Sequence, residues 1–365
     1  MVQIQNTGDG QDQADGHGSF GCPGCVRVFK NTGLLGGNSA GAPNGYFYDF
    51  SSSTYNHDNV IEVGGDPKNF RGAIGNCALT PNQTQIARWN GGSNSAGDSQ
   101  SRYAYLMVDL TNGYCATANI SHAWKHIIHF KKSGYQDYIV GYFDGAASTA
   151  TQFREYIHYR QKQDQAATAY SPGITLSRAS KTVALADTAT SARLNSLILN
   201  VAGANSIYVN TQNSSDSDLS YTGQMSAASG RVEVGSSTNG TSLGAVSTAE
   251  WAYVHQPSTS TSTTMPAITQ PACAGTGGNC TAVQIADSSS PKVAVFGRQG
   301  ANLTGAAFTS THSGTAQYVI AGLAPGTYNV TVGGSTVVSG ATVSANDNSL
   351  YFESTAGSVT VTPVP

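Results

Sequence analysis

The chain has 365 residues, of which 11% are charged, and it carries 42 glycines and a formal net charge of -3. Glu occurs five times, so the straight-chain residues that favour helices are scarce and strand and turn chemistry dominates. There is no Lys/Arg cluster beyond Lys131-Lys132, which excludes a basic field for nucleic acid, and no apolar run approaches the ~20 residues that cross a bilayer. The expected fold class is all-β: a large antiparallel β-sandwich, supersandwich-like, with a smaller C-terminal β-sheet region. Met1-Val2-Gln3 does not open a signal peptide, so the start is expected to be a processed end or a cloning boundary.

The first sixty or so residues hold the densest chemistry. Gln11 to Phe20 (QDQADGHGSF), Gly45 to Phe50 (GYFYDF) and Tyr55 to Asp66 (YNHDNVIEVGGD) bring Asp12, Asp15, His17, Asp49, His57 and Asp58 into a Gly- and Ser-rich background. Val26–Lys30, Tyr46–Phe50 and Val60–Val63 read as short strands, which puts Asp49 and His57 near strand ends, where side chains converge on one site. Arg102–Leu110, Lys125–Phe130 and Tyr138–Asp144 follow, the last two joined by a Ser133-Gly134 turn. His122, His126 and His129 would share a face only on a helix. In a strand His126 joins Trp124 and Ile128 while His129 faces away, and the expectation is strand histidines without metal.

Phe153–Arg160 (FREYIHYR) fits either period, and its aromatic content favours strand. Short segments between turn signals then recur, Ile174–Leu176, Leu194–Val201, Ser206–Asn210, Arg231–Val234 and Trp251–His255, as in an antiparallel sandwich. The Ser/Thr/Pro-rich run Pro257–Pro271 reads as a long surface loop or as a linker, which divides the chain into 1–256, 257–290 and 291–365. Val283–Ile285, Val293–Phe296, Leu323–Val330, Leu350–Phe352 and Val359–Val361 supply later strands. Cys22, Cys25, Cys77, Cys115, Cys273 and Cys280 form an even set suited to disulfides. A zinc reading of Cys22-Pro23-Gly24-Cys25 would want a second pair at similar spacing. A Cys273–Cys280 bridge would staple the intervening AGTGGN loop and fits a secreted or periplasmic protein.

The opening stretch resembles the start of the C-terminal β-domain of heparinase II/III-like polysaccharide lyases. Gln11-Asp12-Gln13-Ala14-Asp15 stands where that family has HxHAD, Gly18-Ser19-Phe20 stands at its GSF, and His57-Asp58-Asn59-Val60 lies near its His-Asn. Asp144 matches an Asp that ends the family's second hairpin strand. The resemblance implies a polysaccharide as partner and β-elimination as the reaction, with an α/α-toroid, not read in this chain, supplying most of the acid and base. It implies His17 and His57 as catalytic residues and Gln11, Gln13 and Asn59 as substrate contacts. His17, Asp49 and His57 would hold one zinc or calcium ion. Gln11 and Gln13 replace the two motif histidines, and an amide is a poor metal ligand and no base. The chain is therefore expected to be inactive alone. The alternative is a non-catalytic extracellular β-protein, an adhesin, glycan-binding scaffold or fibre subunit, able to form a homo-oligomer through an edge strand.

Overall fold

The computed structural model describes residues 2–5, 25–30, 33–36, 61–63, 85–90, 102–111, 120–160, 174–177, 179–187, 192–212, 229–259 and 264–365. Among them the chain forms twenty-five strands and no α-helix, as an all-β chain should. In order these begin with β1 (Val2–Gln5), β2 (Cys25–Lys30), β3 (Gly33–Gly36), β4 (Ile61–Val63), β5 (Gln85–Asn90), β6 (Tyr103–Asp109), β7 (Ile120–Phe130) and β8 (Tyr138–Thr151). Next come β9 (Phe153–Arg160), β10 (Ile174–Ser177), β11 (Thr182–Asp187), β12 (Ala192–Asn200), β13 (Ile207–Gln212), β14 (Ser229–Ser236) and β15 (Val246–Thr259). The remainder are β16 (Ile268–Thr269), β17 (Cys273–Thr276), β18 (Cys280–Ile285), β19 (Lys292–Gly297), β20 (Gly305–Ser310), β21 (Ala316–Ala321), β22 (Gly326–Val332), β23 (Ser335–Val343), β24 (Ser349–Ser354) and β25 (Gly357–Pro363).

Four sheets stack in layers. An outer sheet (β13-β14-β9-β4) covers a central eight-stranded sheet (β10-β11-β12-β15-β8-β7-β6-β5), and beyond it lie a near sheet (β16-β18-β19-β21-β24) and a far sheet (β17-β20-β25-β22-β23). Three apolar cores fill the gaps. Phe143, Phe153, Val232, Val234 and Trp251 join outer to central, Tyr105, Ile128, Val140, Phe296 and Val319 join central to near, and Val295, Phe308, Ile320, Val330 and Val359 join near to far. A three-stranded sheet, β1-β2-β3, approaches β9, β12 and β15.

Burial patterns follow from this layering. The near sheet is covered on both faces, so β18, β19 and β21 are buried at every residue and read as continuous apolar runs. The far sheet is covered on one face. Its β22 and β25 therefore alternate, with Tyr328, Val330, Val359 and Val361 inward and Asn329, Thr331, Thr360 and Thr362 outward. β19 and β21 pair in parallel, which requires a crossover, and the intervening β20 makes it through the far sheet.

Two readings from sequence change. The strand expected to stop at Asp144 runs on through small residues to Thr151, because Gly145 leaves room for the ring of Phe143, 2.8 Å from where a Cβ would stand. The loop expected from Pro257 begins later, since β15 extends to Thr259. Pro257 still pairs with Leu194, whereas pairing with β8 ends at His255↔Ile139, so the missing N–H falls beyond the two-sided part of the strand.

Candidate functional site

Gln11, Gln13, His17, Asp49, His57 and Asn59 lie outside the described residues. What is described of their surroundings is the backbone that flanks them. β4 adds to the edge of the outer sheet with Ile61 opposite Glu155 and Val63 opposite Phe153, while β2 and β3 approach β15 and β12. The described strands around the opening stretch thus contact the outer and central sheets, which face each other across a gap filled by the first core.

That gap holds an unusual amount of charge. Lys125 and Glu155, with side chains 3% and 1% exposed, form an ion pair at 2.6 Å, and the indole Nε1 of Trp251 donates to the other Glu155 oxygen at 2.7 Å. On the neighbouring strands Ser196 Oγ and His255 Nδ1 are 2.7 Å apart, and the imidazole packs at a tilt of 38° against Tyr253, 4.7 Å between ring centroids. Burial, and then the Lys125 charge, pull His255 down to about 3, so the ring is neutral. Tyr253 fits because Gly141 opposite it has no side chain: a Cβ there would stand 2.0 Å from the tyrosine ring. The buried charges here are matched, and the cluster locks the outer sheet to the central one.

The opposite face of the central sheet meets the near sheet through two polar clasps. In the first, Glu250 receives the Arg298 guanidinium, with Nε 3.1 Å from each carboxylate oxygen, and the Tyr142 hydroxyl at 3.0 Å. Burial, and then the charges of Asp144 and Glu250, push the Tyr142 phenol well above its ordinary range. Asp144 accepts the Gly300 amide at 2.9 Å and lies 2.9 Å from His122 Nε2. The Asp that resembles a family position is therefore engaged in joining two sheets. In the second clasp, Glu353 on β24 binds Lys132 through both oxygens, at 2.9 and 2.8 Å, and Arg102 at 3.2 Å, and accepts from the Tyr351 hydroxyl. Burial alone would raise Glu353, but the bonds from Lys132 and Tyr351 and the two cationic charges hold it below the usual carboxylate range.

His126 lies with Trp124 and Ile128 in the core against the near sheet, as alternation predicts, and its Nδ1 is 3.0 Å from the Tyr105 hydroxyl. His129 Nε2 is 3.9 Å from Asp137. Among the described residues no three His, Cys, Asp or Glu converge in a way that could hold a metal ion. Sequence reasoning passed over Lys125, Glu155, His255 and Glu353. The available signal was a lone charge at an inward position of an otherwise apolar strand, which demands a partner.

Residues 275–363 match the family model described as the heparinase II C-terminal domain. Among solved structures, the heparan sulfate lyase HepC mutant from Pedobacter heparinus aligns with a TM-score of 0.44 and 10% identity over 74% of this chain and 36% of that one. A crystal structure of heparinase III aligns with a TM-score of 0.46 and 11% identity over 75% of this chain and 35% of that one. The chain thus spans about a third of the length of these structures. No curated protein sequence matches it. Residues 275–363 form a heparinase-like C-terminal β-domain.

Proposed function

We propose that this chain is the β-region of a secreted or periplasmic polysaccharide lyase, that it contacts an acidic polysaccharide, and that it is inactive alone. The match of residues 275–363 to the heparinase II C-terminal domain carries the reading. The Asp- and His-rich opening stretch and the Cys273–Cys280 disulfide support it. His17 and His57 serve the reaction, Gln11, Gln13 and Asn59 contact sugar, and His17, Asp49 and His57 hold one zinc or calcium ion. The purified chain is expected to bind an acidic polysaccharide in calorimetry without the rise in ultraviolet absorbance that an unsaturated elimination product gives. Turnover by the chain alone would refute its inactivity, and absence of binding would refute the glycan reading. In the same preparation zinc should raise the melting temperature, an effect lost in His57→Ala, kept in His126→Ala and fading below pH ~6.5 as the imidazoles protonate.

The non-catalytic reading is favoured by Gln11 and Gln13 in place of histidines and by the five far-sheet strands, which contain no Asp, Glu, Lys, Arg or His. A fibre built through β23 is disfavoured. That edge strand shifts register twice against β22, and such bulges blunt an edge for pairing with another chain.

A further inference from the structure

The turn between β7 and β8 presents a chemistry that the fold does not need. Tyr135 at its tip is 39% exposed, the most exposed aromatic ring among those whose side chains are described. Lys132 Nζ lies 5.1 Å from its centroid and the buried Lys292 Nζ lies 5.6 Å away. Beside it two cations, Arg102 and Lys132, share the single carboxylate of Glu353, and the Arg102 side chain is 42% exposed. Its guanidinium also lies over the Tyr351 ring, 5.9 Å from the centroid, and that ring stacks on Tyr103. Glu353 is bound by both cations, and Asp137 and Asp287 act on the neighbouring Lys292, so the group open to an added anion is the exposed Arg102 guanidinium. Arg has five N–H donors and Lys three, more than Glu353 takes up, and both side chains reach solvent, at 42% and 26% exposure.

We propose that Tyr135, Lys132 and Arg102, backed by Tyr351, form a binding subsite for an anionic saccharide. One sugar ring packs on Tyr135 while its carboxylate or sulfate meets Arg102 and Lys132. The β7–β8 turn supplies Tyr135 and Lys132, Arg102 immediately precedes β6, and the near sheet supplies Tyr351 and Glu353, so the subsite is built where the central and near sheets meet. It rests on the glycan reading proposed above, uses residues outside the opening stretch and requires no catalysis. Tyr135 supplies the apolar contact and the cations supply selection, so a neutral sugar of the same linkage gains only the weaker part.

The test is calorimetric titration of the full chain with a uronate-containing oligosaccharide, its carboxyl-reduced neutral counterpart, and sodium sulfate. The anionic oligosaccharide should bind, on the order of tenfold more tightly than the neutral one, and more weakly as salt is raised. Tyr135→Ala and Arg102→Gln should each weaken it by about five- to tenfold with an unchanged melting temperature for the exposed Tyr135→Ala. His57→Ala should leave this contribution intact, which separates the subsite from any site in the opening stretch. Binding that Tyr135→Ala and Arg102→Gln both leave unchanged would overturn the proposal. Equal binding of the neutral and anionic sugars would do the same, as would sodium sulfate binding as tightly as the oligosaccharide.

Discussion

The two interiors on either side of the chain's middle layers are built differently. Between the outer and central sheets lie an ion pair and a neutral imidazole, Lys125 with Glu155 and His255 with Ser196. Between the near and far sheets the polar groups are mainly hydroxyls: the Tyr318 OH is 2.8 Å from Ser310 Oγ and 2.6 Å from His312 Nε2, and Tyr328 donates to the Ala324 carbonyl. No ion pair is buried there among the described residues. Desolvating a charge costs far more than desolvating a hydroxyl, so the first interior is held by a matched set in which each member depends on the others. In the second, loss of any one hydroxyl is expected to cost less. The charged interior is also the one whose outer sheet takes β4 at its edge.

The sharpest way to break that contrast is Lys125→Met. It leaves Glu155 buried with only the Trp251 indole, and an uncompensated buried carboxylate costs about 3–5 kcal/mol. Urea unfolding should show a loss of that size, and Lys125→Met with Glu155→Leu should recover much of it, since an apolar pair replaces the ionic one. If the single variant unfolds within ~1 kcal/mol of the parent, the pair is not organising this interior.

A pH titration sharpens the same comparison. His255 is held at about 3 in the folded chain against 6.5 unfolded, so between those values the unfolded state binds the extra proton. Stability from this group is complete above pH 6.5 and falls as the pH drops toward 3, by roughly 3 kcal/mol at pH 4.5. His255→Gln should flatten that acid limb and leave stability at neutral pH less changed. An acid limb of unaltered slope would show that the imidazole is not the group that resists protonation.

How far the sequence disclosed this arrangement depends on whether a feature is local. β6, β18 and β19 announce themselves as apolar runs, and the alternation of β25 shows one covered face. β20, made of Gly, Ala, Thr and Ser around a single Phe308, and β23, interrupted by Gly340 at a φ of 68°, carry weak patterns and depend on their neighbours. The clasps are less legible still, because Lys132 and Glu353 are 221 residues apart and nothing near either names the other. The Asp of Tyr138–Asp144 was visible, but its bond to the Gly300 amide depends on which sheet lies over it.

The Cys273–Cys280 disulfide is the smallest lever on the comparison and the one confined to the second interior. Cys273 begins β17 in the far sheet and Cys280 begins β18 in the near sheet, so the bridge joins two layers where the chain passes between them. The segment between is tightly seated: a Cβ on Gly278 would stand 2.2 Å from that of Ala301, next to the turn that carries Arg298 and Gly300 to the central sheet. Opening so short a loop removes about 2.5 kcal/mol of constraint on the unfolded chain. Cys273→Ala with Cys280→Ala should therefore lower the melting temperature modestly, by less than Lys125→Met, and leave the slope of the acid limb unchanged. A drop as large as that of Lys125→Met would mean that the second interior rests on its covalent staple. The contrast between an ion-locked and a hydroxyl-lined sandwich would then have to be redrawn.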